Sequence, residues 1–72
     1  MKILLTGGTG FVGTALRREL KAQGHDVRML VRKESAGKVD AREGLEVLVG
    51  DVLDTHACLR AVDGIDALVH LV

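Results

Sequence analysis

The segment Thr6-Gly7-Gly8-Thr9-Gly10-Phe11-Val12-Gly13 narrows what this chain can fold into more than any other feature. It stands between two stretches of opposite periodicity. Before it, Ile3-Leu4-Leu5 is a short, unbroken apolar run, the pattern of a central parallel strand buried on both faces. After it, from Phe11 to Gln23, Val12, Leu16 and Leu20 recur at every fourth position. That is the spacing of one helical face, with Arg17, Arg18 and Lys21 falling largely away from it. Gly24 supplies a helix stop. A strand, a glycine turn and a helix in direct succession predict the start of a β-α-β unit.

The rest of the chain continues the alternation. Asp26 to Val31 reads as a second strand, with Val27, Met29 and Val31 alternating and Leu30 adding apolar character. Residues 32 to 44 are polar and read as a loop with one short helical turn around Lys38 to Arg42. The mixed charges of Lys33 to Glu43 suggest a solvated connection. Val47-Leu48-Val49 is a third strand, stopped by Gly50. Asp54 is a suitable N-cap for a helix over Thr55 to Val62, on which Leu59 and Val62 share a face. Gly64 ends that helix, and Ala67 to Val72 is a fourth apolar strand. Strands alternating with helices predict an α/β fold with a parallel sheet. The fourth strand is expected on the free side of the first, in the order 3-2-1-4. With 72 residues there is room for one modest core. An uncovered apolar strand at its end suggests an incomplete domain, the front half of a Rossmann-type fold over residues 1–72. Its expected partners are the remainder of that domain or a second copy paired through the fourth strand.

The glycines of the first turn each suit a task. Gly7 permits a tight turn out of the strand, Gly10 leaves space for a pyrophosphate close to the backbone, and Gly13 allows close packing of the helix. The free N–H groups at the helix start, with the positive end of its dipole, then face the phosphates. A glycine-rich turn without a ligand is the plainer alternative, but the strand before and helix after form the context of a dinucleotide fingerprint. A P-loop is excluded, since no Lys-Ser or Lys-Thr follows the last glycine. NAD proteins carry an acidic residue at the end of the second strand to hold a ribose 2′-hydroxyl. Here Val31 stands there, followed by Arg32 and Lys33. The guanidinium of Arg32 suits a 2′-phosphate by charge and shape; a solvated basic turn is the competing reading. The expected cofactor is NADP, with NAD also possible.

The spacing Gly-x-x-Gly-x-x-Gly resembles the glycine motif of the extended and atypical short-chain dehydrogenase/reductases, the NAD-dependent epimerase/dehydratase-like proteins. Further matches follow in order: Gly24-His25-Asp26-Val27, Gly50-Asp51-Val52, and Asp66-Ala67-Leu68-Val69-His70-Leu71. The resemblance spans the chain, and within the family it is greatest to atypical members. Among these are proteins similar to the accessory NAD(P)H-binding subunit of respiratory complex I and NmrA-like proteins. It implies that Gly7, Gly10 and Gly13 form the pyrophosphate turn and that Phe11 and Val12 offer backbone N–H groups. It also implies that Asp51 holds the adenine amino group and Val52 the adenine ring. Taken alone, Asp51 reads as a turn residue beside Gly50. Reductases and epimerases of this family use a Tyr-x-x-x-Lys pair as acid/base, and this chain contains no tyrosine. Val72 stands where the family commonly has alanine near the ribose.

Composition excludes several other functions. Ten basic side chains balance ten acidic ones, so nothing advertises nucleic acid or an anionic membrane as a partner. Phe11 is the only aromatic residue, which leaves little for a substrate pocket or a tyrosine acid. The three histidines and Cys58 lack metal-ligand spacing, so no metal is expected. His70, inside an apolar strand, reads as a hydrogen-bonded structural residue, His25 and His56 as solvated, and Cys58 as a small packing residue. No catalytic residue is assigned. One cysteine and the lack of a signal or transmembrane segment suggest a cytoplasmic protein. The leading expectation is an NAD(P)-binding module of an oxidoreductase or sugar-nucleotide epimerase/dehydratase-like protein. The alternatives are a non-catalytic NAD(P)H-binding sensor or assembly subunit, and an excised half-domain without activity.

Overall fold

Leu4 and Leu5 are neighbours in sequence, and so point to opposite faces of a strand; both are enclosed, at 2% and 0% exposure. Only a strand covered on both sides allows this. The computed structural model, which describes residues 1–71, shows how the covering is done. The elements in order are β1 (Lys2–Thr6), α1 (Phe11–Ala22), β2 (Asp26–Val31), β3 (Glu46–Val49), α2 (Thr55–Val62) and β4 (Ala67–His70). The strands form one sheet in the order β3-β2-β1-β4. Every pairing is parallel, with Leu4 opposite Arg28 and Leu68, and Leu30 opposite Leu48. The expected class and strand order are therefore observed.

The two faces carry separate cores. On one, Leu4 and Leu30 pack with Ala57 and Ala61 of α2, joined by Leu48, Cys58 and Ile65. On the other, Leu5, Val27, Met29 and Val31 pack against Leu16 and Leu20 of α1 and against Ala36, Val39 and Leu45 of the connection before β3. No helix among the described residues is long and apolar enough to cross a membrane.

Several boundaries move. β1 and β3 are longer than the apolar runs, because Lys2, Thr6 and Glu46 join the ladder. α1 ends at Ala22 with Gln23 as its cap, one residue short of the expected end. β4 ends at His70, and Val72 lies outside the described residues. Between β2 and β3 there are two 3₁₀ segments, Lys33–Lys38 and Ala41–Glu43, rather than one turn in a loop. The second begins with a capping box in which Asp40 and Glu43 satisfy each other's backbone N–H groups.

α2 buries a face other than the one the apolar periodicity suggests, and α1 does so in part. In α2, Leu59 is 61% exposed and Val62 is also exposed, while Ala57 and Ala61 are sealed against the sheet. The reason is distance: a Cβ added at Gly50 would lie 2.6 Å from the Ala57 Cβ, so only small side chains fit this approach. In α1, Leu16 and Leu20 pack as expected, but Val12 is exposed and the buried members are Gly13 and Arg17. Arg17 points inward because backbone carbonyls and a carboxylate await it there. Arg28 of β2 is buried in a similar way and donates to the carbonyls of Ala61 and Asp63 at 2.8 and 2.6 Å. These are acceptors at the C-terminal end of α2, where a cation is favoured. Its Nε lies 3.1 Å from Glu46 Oε2, an ionic approach rather than a directed hydrogen bond.

Candidate dinucleotide site

Because β4 lies on the opposite side of β1 from β2, the chain's path reverses at β1. Such a switch point opens a crevice at the carboxyl ends of the strands, where open α/β sheets bind ligands. A cleft of about 470 Å³ occupies this place, within the usual range for small-molecule sites. Its walls come from the ends of all four strands: Thr6 and Gly7 after β1, Val31 and Arg32 after β2, Gly50 to Leu53 after β3, and His70 and Leu71 after β4.

The turn from β1 into α1 is held by contacts that leave no room for side chains. Gly7 has φ +73°, and a Cβ there would lie 2.2 Å from the Leu71 carbonyl oxygen. At Gly8 a Cβ would strike Met29 and Leu5, and at Gly13 it would lie 2.5 Å from the Gly7 oxygen. Gly13 thus seats the helix on the turn itself rather than on the strands. Gly10 differs: a Cβ would meet nothing within 4 Å, and its backbone is extended. Nothing in the fold requires glycine there.

The N–H groups of Thr9, Gly10, Phe11, Val12 and Gly13 have no hydrogen-bond acceptor among the described residues. α1 has neither a side-chain cap nor an acidic residue in its first turn. Unpaired donors and a positive dipole end form a ready anion site. The N-terminus of α2, in contrast, is closed by Asp54, which accepts from His56 and Ala57. The side chains of Phe11 and Val12 are exposed, so their contribution here is through the backbone.

The remaining expected site residues sit as follows. Arg32 lines the cleft, and its side chain is 68% exposed. A loose pairing with Glu34 at 3.9 Å hardly restrains it. Asp51 and Val52 also line the cleft; Asp51 Oδ1 accepts from Leu53 N at 2.9 Å, closing the turn after β3. The turn role of Asp51 is thus present, and its other oxygen has no protein partner among the described residues. His70 hydrogen-bonds through Nδ1 to the Thr6 hydroxyl, as a structural residue should, yet it is exposed at the cleft wall. Cys58 donates to the Val52 carbonyl at 3.1 Å and packs on the α2 side of the sheet. No group of metal-binding side chains occurs among the described residues.

Sequence reasoning passed over Ser35, whose N–H donates to the Arg32 carbonyl at 2.9 Å and which lines the cleft beside it. Its only signal was its place three residues after Arg32. It also passed over the burial of Arg17. There the missing signal was Glu43, which closes the connection onto the helix by accepting at both carboxylate oxygens. Lys33 to Glu43 is therefore not simply a solvated stretch: Ala36 and Val39 pack on the core and Glu43 is pinned.

A parallel sheet in this order, with a glycine turn presenting free N–H groups at its switch point, defines a Rossmann-type NAD(P)-binding module. The chain belongs to the NAD dependent epimerase/dehydratase family, which it matches over residues 3–72. It is 46% identical over 69 residues to the 3 beta-hydroxysteroid dehydrogenase/Delta 5-->4-isomerase of Mycobacterium tuberculosis, covering 96% of this chain and 18% of that protein. Among solved structures it resembles a nucleoside-diphosphate-sugar epimerase from Pseudomonas aeruginosa, with TM-score 0.89, 30% identity, and coverage of 99% of this chain and 24% of that one. It also resembles a short-chain dehydrogenase/reductase superfamily protein from Agrobacterium tumefaciens with bound NAD. There the TM-score is 0.78 and the identity 33%, over 100% of this chain and 20% of that one. The chain thus spans about a fifth of the length of the proteins it matches.

Proposed function

We propose that this chain supplies the pyrophosphate- and adenosine-binding part of an oxidoreductase or epimerase/dehydratase-like enzyme, with NADP(H) preferred over NAD(H). The observation that carries the reading is the row of N–H groups from Thr9 to Gly13, unpaired among the described residues, which starts at the cleft wall with Thr9 and runs into the first turn of α1. Gly7 and Gly13 set the turn, Gly10 leaves the approach open, and Phe11 and Val12 donate through the backbone. Asp51 and Val52 face the adenine, Asp51 through the oxygen its turn leaves over. When bound, the nicotinamide supplies hydride transfer; this chain's residues hold and orient the nucleotide.

Arg32 decides between the two nucleotides. Val31 places no carboxylate at the end of β2, where an acidic residue would repel a 2′-phosphate. The exposed Arg32 guanidinium is free to swing from Glu34 to a phosphate, and Ser35 lines the same cleft. A well-formed charge-assisted bond contributes about 1.5–3 kcal/mol, which is about tenfold in affinity or more. Titration of the full-length protein should give tighter binding of NADPH than NADH by about that factor, and Arg32→Ala should abolish the difference. Equal affinities in the parent would overturn the preference, and so would a preference that survives the substitution.

The free thiol of Cys58 suits a reducing, cytoplasmic setting. On β4, Leu68 is exposed, and we propose that this edge is covered by the remainder of the domain or by a second copy.

A further inference from the structure

Arg17 is 2% exposed, yet it carries a full charge, so whatever surrounds it must hold that charge in place. Its Nη1 donates to the Gly8 carbonyl at 2.6 Å. Nε and Nη2 donate to the two carboxylate oxygens of Glu43 at 3.0 and 3.2 Å, and Nη2 also reaches the Lys38 carbonyl at 3.3 Å. Glu43 is itself fixed by the Asp40 backbone N–H at 3.0 Å. One guanidinium therefore ties the middle of the glycine turn to the connection that begins at Arg32.

The bond to Gly8 has a geometric consequence. A trans peptide is planar, with its C=O and N–H pointing in opposite directions, and no cis peptide occurs among the described residues. Drawing the Gly8 oxygen inward onto Arg17 turns the N–H of Thr9 the other way, and Thr9 lines the cleft. Without this anchor the Gly8–Thr9 peptide is free to rotate, because glycine imposes little backbone preference. A rotated peptide would present an oxygen to the phosphates in place of a donor.

We propose that Arg17, held by Glu43, is a positioning residue for nucleotide binding that fixes the Gly8–Thr9 peptide with its N–H toward the pyrophosphate. The inference rests on the dinucleotide-binding reading above. Neither Arg17 nor Glu43 lines the cleft, so their effect on affinity is exerted through the turn.

The test compares ADP, which carries the pyrophosphate, with adenosine, which does not, as ligands of the full-length protein and its Glu43→Gln and Arg17→Lys variants. Glutamine keeps the shape of Glu43 but not its charge, and a single ammonium cannot satisfy both Gly8 and Glu43. Melting curves establish that each variant is folded. ADP affinity should fall roughly two- to thirtyfold, the range for residues that act on a site without touching its ligand, while adenosine affinity stays at the parental value. Equal losses for both ligands would assign the pair to stability alone and overturn the proposal, as would unchanged ADP affinity or failure of both variants to fold. If the parent binds neither NADPH nor ADP, the dinucleotide reading itself falls, an outcome distinct from the others.

Discussion

Four glycines stand in the first turn and helix start, and the space around each separates fold from function. A side chain at Gly7, Gly8 or Gly13 would collide with backbone or core atoms at 2.2 to 2.6 Å, whereas at Gly10 it would meet open space. Gly10→Val is therefore expected to lower the melting temperature by only a few degrees, reflecting a poorer N-cap worth about 1 kcal/mol. Its NAD(P) binding should be lost, because the isopropyl group would occupy the approach to the pyrophosphate. Gly7→Val should instead prevent folding, from both its positive φ and its clash with Leu71. Calorimetric titration beside thermal melting of the two variants separates these outcomes. Unchanged affinity in Gly10→Val would remove the central functional reading. Asp51 shows how one side chain can serve both levels, since one oxygen closes the turn at Leu53 N and the other remains for a ligand.

At the scale of elements, α2 shows that a helix face is chosen by distance as much as by hydrophobicity. Gly50 and Ala57 nearly touch, so the helix lies close to the sheet and its larger apolar residues turn outward. Ala57→Leu should overpack this contact and destabilise the protein by about 1–3 kcal/mol. Leu59→Ala should stay within about 0.5 kcal/mol of the parent. Denaturant unfolding of both variants checks the pair, and a large loss in Leu59→Ala would mean that its face is covered in the working protein. The connection between β2 and β3 is likewise an ordered element: its capping box presents Glu43 to Arg17 and so brings the 3₁₀ segments onto α1.

For the whole molecule, the buried charges link stability to pH. Arg17, by hydrogen bond and charge, holds the Glu43 carboxyl below the ordinary glutamate value; the close approach of Arg28, and less strongly Lys2, lowers Glu46. Asp40 is lowered too, by Arg42 at the surface. A lowered folded-state pKa means that the unfolded chain takes up protons first as pH falls. The stabilisation is therefore complete above the ordinary glutamate value near 4.5 and is lost as pH drops through the lowered values. Glu43 should contribute more than Glu46, whose side chain is 46% exposed and better screened. Melting temperature followed from pH 7 downward should fall steeply only on the acid side of about pH 4.5, and Glu43→Gln should flatten that fall. An acid limb unchanged in the variant would show that the Arg17–Glu43 pair does not link stability to protonation. The same pair ties the glycine turn to the connection before β3, so this stability device and the proposed ordering of the binding turn share one guanidinium.

What the sequence by itself determined is local in origin. The apolar run, the glycine spacing and the i, i+4 pattern placed β1, its turn and α1 within a residue or two, and alternation of strands and helices implied the sheet and its order. These follow from steric limits and side-chain periodicity, which act over a few residues and can be read along the chain. Only the tertiary structure decided which side of α2 faces the sheet, that Arg17 is interior, and that residues 33 to 43 are tied down. Each depends on a partner in another element, outside the residue's own periodic pattern: Gly50 for Ala57 through sheet packing, the Gly8 carbonyl and a carboxylate 26 residues on for Arg17. Hydrophobic patterning scores an arginine as surface and a leucine as core. Distance between backbones and the placement of hydrogen-bond acceptors reversed both assignments here, because close approach admits only small side chains and a charge can be buried where acceptors surround it.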